Sequence, residues 1–148
     1  MASGTFDLLH MGHIYYLKEA KKLGDELVVV VACDATVRKM KHEPVTPEKM
    51  RVNIIKELQV VDQVFLGKED DMFEIVEKIQ PDIIAIGYDQ IPDEEKLKEE
   101  LKKRGIEAEI VRLKKCAGVE DLNGTRRIIA KIISAYEFQK KMDGIEKT

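Results

Sequence analysis

The chain has 148 residues, 44% hydrophobic and 36% charged, with 25 basic against 28 acidic residues and a formal net charge of −3. That length suits one domain with its own buried core, and that balance excludes a disordered chain. It also announces no basic face for nucleic acid, so any anion site has to be local, and no apolar run is long enough to span a bilayer. No signal peptide is evident, so the cytoplasm is the expected compartment. Cys33 and Cys116 match no metal-ligand spacing and read as reduced thiols.

In chain order, short apolar runs alternate with helical periods. Only Met1, Ala2 and Ser3 precede Gly4, so the first strand is unusually short. "GHIYYLKEAKKLG" begins the first helix, with Gly24 placed to end it as a left-handed residue. "LVVVVAC" (27–33) is β-branched and reads as a buried strand. The stretch 34–43, with its basic cluster "RKMKH", lacks an apolar period and is expected to be a mobile loop that closes over a ligand. "TPEKMRVNIIKEL" has Thr46 as N-cap and Pro47 at the first helical position.

"QVFLG", "DIIAIG" and "AEIVRL" read as three further strands. "DDMFEIVEKIQP" is a helix that stops before Pro81. "PDEEKLKEELKKRG" has acids first, bases last and Gly105 behind it, as the helix dipole favours. "NGTRRIIAKIISAYEFQKKM" closes the chain as a long helix capped by Asn123, with a frayed tail expected over 143–148. The pattern implies an α/β class: a single Rossmann-like, doubly wound domain over 1–148, with a five-stranded parallel sheet and helices on both faces.

Such a sheet places its ligand at the carboxyl ends of the strands, near the switch in strand order. The segments expected there are "GTFDLLHMGH" (4–13), the basic cluster after strand two, "GYDQ" (87–90) after strand four, and "KKCAGVEDLNGTRR" (114–127) after strand five. Histidines, basic residues, glycines and helix N-termini converge on one edge, which suits phosphate. His10 and His13 could bind a metal, but no third ligand has suggestive spacing. Either could pack. Their place around Gly12 at a helix start favours an anion site, where imidazoles donate hydrogen bonds to phosphate oxygens.

"GTFDLLHMGH" resembles the signature of the HxGH nucleotidyltransferase superfamily, with His10, Gly12 and His13 matching the motif. Its form is similar to the cytidylyltransferase-like branch, which includes glycerol-3-phosphate cytidylyltransferases and archaeal FAD synthetases. "LGDELVVVVACDATVRKMK", "VDQVFLG", "QPDIIAIGYDQ" and "GIEAEIVRLKKC" look most like the archaeal FAD synthetase pattern. The resemblance implies that AMP is transferred from ATP to FMN, giving FAD and pyrophosphate by direct attack on the α-phosphorus. A divalent metal, Mg2+, would accompany the triphosphate, with none held tightly by the protein.

It implies that His10, His13 and Lys41 are catalytic. Gly4, Thr5, Phe6, Met11, Gly12, Lys39 and Asp89 would lie along the nucleotide. Thr125 and Arg126 would take the leaving pyrophosphate. Tyr88, Gln90 and Leu113, with Ile91 beside them, would face the acceptor. Arg51 matches a recurrent arginine of the branch, and related cytidylyltransferases pair as homodimers through the region that 50–66 represents here.

Blander readings stand beside these. Lys39 and Lys41 lie in a charge-rich segment, Asp89 suits a turn, and the Tyr15–Tyr16 pair suits helix packing. "NGTRR" keeps one hydroxyl where the branch often has two or three, and Leu113 stands where an aromatic is common. The runner-up activity is transfer of CMP from CTP to glycerol 3-phosphate. A reading of another class is a nucleotide-binding regulatory module that kept the fold and lost the chemistry.

Overall fold

The computed structural model describes residues 1–40, 43–91, 93–115 and 124–145. In chain order these form β1 (Ala2–Gly4), α1 (Met11–Lys21), β2 (Val28–Val31), α2 (Asp34–Met40), α3 (Glu48–Lys56), β3 (Gln63–Leu66), α4 (Glu74–Ile79), β4 (Ile83–Ile86), α5 (Glu94–Lys103), β5 (Glu109–Arg112) and α6 (Thr125–Ile145). The five strands make one sheet in the order β3-β2-β1-β4-β5, and every pairing is parallel.

The run of four valines explains β2. Successive side chains point to opposite faces of a strand. Val29 and Val31 therefore join Ala2, Leu17 and Ala20 of α1, and Ile55 of α3, in one core. Val30 turns the other way, toward Ile75 and Val76 of α4, Ile84 and Ile86 of β4, and Leu101 of α5. Both faces of the sheet are covered, as its continuous apolar strands require. Central β1 is built from small residues. A Cβ on Gly4 would lie 2.9 Å from the Phe6 ring, so the closing of that ring over the strand end depends on glycine.

The order reverses between β1 and β4. Those two strands share a single registered pair, Ala2 with Ala85. Beyond it the strands diverge, and the Tyr16 hydroxyl bridges the gap: it donates toward the carbonyls of Ala85 (2.9 Å) and Ser3 (3.2 Å) and accepts from the Ser3 N–H (3.3 Å). Burial raises the Tyr16 pKa far above its ordinary value, so the hydroxyl keeps its proton.

Several local expectations are corrected. The 34–43 stretch is not a loop throughout: α2 occupies it as far as Met40, anchored by buried Val37. Gly24 is not left-handed, since α1 ends at Lys22 in right-handed geometry; among the described glycines only Gly105 has positive φ. Pro47, rather than Thr46, occupies the N-cap of α3, because the Thr46 hydroxyl is committed to Asp7. The helix expected to start at Asp70 begins only at Glu74; it stops before Pro81 as expected, in a left-handed Gln80. α6 continues to Ile145, into the segment expected to fray. Asn123 lies outside the described residues. Among the described residues, no helix is long and apolar enough to cross a membrane.

Candidate functional site at the switch point

The loop from β1 to α1 is strained and firmly held. Phe6 (φ 53°) and Leu8 (φ 46°) adopt left-handed conformations without being glycine. Each such residue costs about 1–3 kcal/mol and persists only where its surroundings over-determine it. The Phe6 ring meets His13 edge-on at 5.4 Å and stacks near Tyr16 at 6.4 Å. The buried Asp7 carboxylate accepts from the N–H groups of Val45 (2.8 Å) and Thr46 (2.9 Å) and from the Thr46 hydroxyl (2.6 Å). Burial alone would raise the Asp7 pKa. The hydrogen bonds from Thr46 and Val45, with the charge of Arg51, outweigh it and hold the carboxyl below its ordinary range.

Arg51 of α3 ties four segments together from inside. Its guanidinium donates to the carbonyls of Thr5 (2.6 Å), Ala32 (2.8 Å) and Thr46 (2.9 Å), and to the Asp34 carboxylate (2.6 Å). The residue is 1% exposed. A buried guanidinium is tolerable only when its donors are met by acceptors, as here. For Asp34, partial burial is likewise overcome, chiefly by the hydrogen bond from Arg51, and the carboxyl is held below its usual range.

His10 starts α1. Its backbone is extended (φ −141°), and its Nδ1 accepts from the Gly12 N–H at 3.1 Å, so a histidine takes the N-cap role. Because Nδ1 is an acceptor, the neutral ring carries its proton on Nε2, which remains a donor. Burial lowers the His10 pKa below its ordinary 6.5, so this neutral form prevails at pH 7. The His10 and His13 rings stack with centroids 3.7 Å apart and 23° between planes. Two imidazolium charges at that spacing would repel, which disfavours double protonation. The result is a pair of imidazoles at a helix N-terminus, beside a strained backbone loop and below the sheet's switch point. This arrangement can hydrogen-bond an anionic oxygen.

Thr125, the first residue of α6, reaches the same loop, its hydroxyl donating to the Asp7 carbonyl at 2.7 Å. Arg126 is exposed on α6. Lys39 pairs with Glu69 beyond β3 at 2.9 Å. Lys41 lies outside the described residues. Met11 is 57% exposed at the helix start, free to line a ligand.

At the C-terminal end of β4 the 87–91 loop borders an open cleft of about 540 Å³, lined by Tyr88, Asp89 and Gln90 of the loop together with Asp93, Glu94, Glu95 and Arg112. Tyr88 is 51% exposed, with the Lys115 ammonium 5.6 Å from its ring centroid. Gln90 is used within the loop: its Oε1 accepts from the Gly87 N–H (2.9 Å), and its Nε2 donates to the Ser3 carbonyl (3.3 Å). Leu113 packs on the core beneath α1 and α3, while Ile91 packs on the opposite one. Leu113 continues the alternation of β5, which turns it away from the side taken by Arg112.

The sequence places Asp34 at the ligand edge and reads Tyr16 as helix packing, without their partners; it does not single out Asp7 or Arg112. Asp7 carries a signal, being an acid inside a stretch that otherwise suits anions. The acidic residues of the cleft also say where phosphate does not go, since clustered carboxylates repel it. Among the described residues, no group of three or more His, Cys, Asp or Glu is placed to hold a metal ion by itself.

The cytidylyltransferase-like family matches residues 1–141. An FAD synthase of Aciduliprofundum boonei is 55% identical over 137 residues, covering 93% of this chain and 91% of the relative. An FAD synthase of Methanothermus fervidus is 51% identical and aligns over 99% of both chains. The crystal structure of a Thermoplasma volcanium protein, described as a lipopolysaccharide core biosynthesis protein, is 53% identical. It superposes with a TM-score of 0.76 over 78% of this chain and 95% of that one.

Proposed function

The chain belongs to the cytidylyltransferase-like family, and on that premise we propose that it is an FMN adenylyltransferase, an FAD synthase. A phosphate oxygen of FMN attacks the α-phosphorus of ATP. The new P–O bond forms as the bond from the α-phosphorus to the bridging oxygen of the β-phosphate breaks, and pyrophosphate leaves with that electron pair. No covalent enzyme intermediate is needed. Catalysis is positioning plus stabilisation of charge on the transferring phosphorus.

One observation carries the reading: a neutral His10, its Nδ1 fixed by Gly12 and its Nε2–H left as a donor, stacked on His13 at the start of α1. These groups bind the α-phosphate oxygens and meet the charge that develops there. The Phe6 N–H and the β1–α1 loop, with Gly4, Thr5, Met11 and Gly12, lie along the nucleotide. Thr125 and Arg126 face the departing pyrophosphate, and Lys39 and Lys41 approach from the region following β2. The flavin ring extends toward Tyr88 and Asp89, since the acidic cleft repels a phosphate there. A divalent ion belongs to the ATP substrate, where it neutralises phosphate charge. The cytoplasm is the expected compartment.

We infer further that the enzyme works as a homodimer. Met50 and Leu66, within the segment expected to pair, remain 51% and 37% exposed.

Incubating the protein with ATP and FMN and measuring pyrophosphate and FAD tests the activity. Turnover is expected with that pair. Pyrophosphate from CTP and glycerol 3-phosphate, with FMN untouched, would replace this reading with the cytidylyl one. No turnover with either pair, despite ATP binding, would favour the regulatory module.

A further inference from the structure

The 87–91 loop is held from two sides by groups outside its own backbone. On the inner side, Gln90 links the Gly87 N–H to the Ser3 carbonyl of β1. A Cβ on Gly87 would lie 3.3 Å from the Gln90 side chain, so the amide lies tight against the loop. On the outer side the carbonyls converge on one residue. Arg112 Nη1 donates to the carbonyls of Gly87 (3.1 Å), Tyr88 (3.2 Å) and Gln90 (2.8 Å). Its Nη2 donates to Ile91 (2.7 Å), and its Nε to the Glu94 carboxylate (2.5 Å).

The register explains why this residue can do so. Arg112 is the last residue of β5 and lies opposite Ile86, the last of β4, so its side chain starts where the loop departs. Ile91 at the far end has φ 45°, which a β-branched residue adopts only under constraint. The Arg112 side chain remains 32% exposed and belongs to neither core. Its hydrogen bonds therefore do little for global stability, while they fix the shape of one loop. A guanidinium presents five donors in a planar fork. A lysine ammonium is a compact charge and cannot meet the same carbonyls together.

We propose that Arg112 is the positioning residue of the acceptor loop, fixing the 87–91 backbone so that Tyr88 and Asp89 face the flavin. The assignment of that loop to the flavin rests on the FMN adenylyltransferase reading above. The positioning role itself does not.

The test compares the wild type with Arg112→Ala and Arg112→Lys. FMN and ATP are varied separately, with thermal melts and hydrogen exchange across 87–91. The expected result is a roughly tenfold rise in KM for FMN in both variants, with kcat and the KM for ATP within about threefold. Loop amides should exchange faster, and the melting temperature should hold within a few degrees. Failure of lysine to restore KM would separate fork geometry from charge. A rise in KM for ATP in place of FMN would keep Arg112 as the positioning residue and remove the flavin from the loop. Unchanged KM for both substrates, or a fall in melting temperature without a change in either KM, would overturn the proposal.

Discussion

His10 uses one ring for two tasks: Nδ1 caps a helix, and Nε2 is left for a ligand. The tasks separate by substitution. Asparagine is a good N-cap and lacks the imidazole, so His10→Asn should keep thermal stability while turnover falls about a hundred- to a thousandfold, the usual loss for one preorganised donor. His10→Ala should lose the same activity and also about 1 kcal/mol of stability. Melting curves beside pyrophosphate release distinguish the two; equal stability loss in both variants would mean that the cap is unimportant. The ring also sets a pH dependence. Its folded-state pKa lies below the unfolded value of 6.5, so its stabilisation is complete above that value. The stabilisation is lost as pH falls through the lowered folded value, where protonated Nδ1 can no longer accept from Gly12. Stability measured between pH 7 and 5 should therefore fall, and His10→Asn should flatten that part of the slope.

At the level of elements, Arg51 joins α3 to α2, β1 and the end of β2. Replacing it with methionine keeps much of the volume but strands Asp34 and three carbonyls. Arg51→Met should cost on the order of 3–5 kcal/mol, as for breaking a buried pair, read as a lower denaturation midpoint. A loss within the range of an exposed pair, about 1 kcal/mol or less, would contradict the hub. The same elements show what was legible beforehand. The valine run of β2 and the capped, dipole-ordered α5 depend on local chemistry, and the sequence pattern locates them well. α2 has only seven residues and one buried apolar side chain, Val37, so it leaves almost no periodic signal. Thr46 looks like a cap, but its hydroxyl is taken by Asp7, 39 positions earlier, and no local rule anticipates that. The histidine pair was legible as a motif; the proton placement on His10 was not, because it depends on one backbone N–H in three dimensions. The Arg112 clasp was hidden for the same reason, since its partners become neighbours only through strand register.

For the whole molecule, the pairing of two chains is open to a direct measurement. Sedimentation across a concentration range should show mass above the 16.9 kDa of one chain, and a single-chain species throughout would exclude the dimer. The strand order was readable only as a class: alternating elements imply a parallel sheet, while the reversal at β1 and β4 emerges from packing.

That reversal makes the chain separable. Everything through β3 lies on one side of the β1–β4 boundary within the sheet, and both later strands lie on the other, with Lys68, Glu69 and Asp70 exposed between the two stretches. A single cut there would divide the polypeptide along the line where its sheet is least hydrogen-bonded. Both cores draw residues from each piece, so neither piece can complete a core alone. Fragments 1–69 and 70–148 should each remain poorly folded in isolation and should reassemble on mixing, regaining native circular dichroism and turnover. Two pieces that stay unfolded together would show that the covalent link through that exposed stretch is required, and the molecule could not serve as a split reporter.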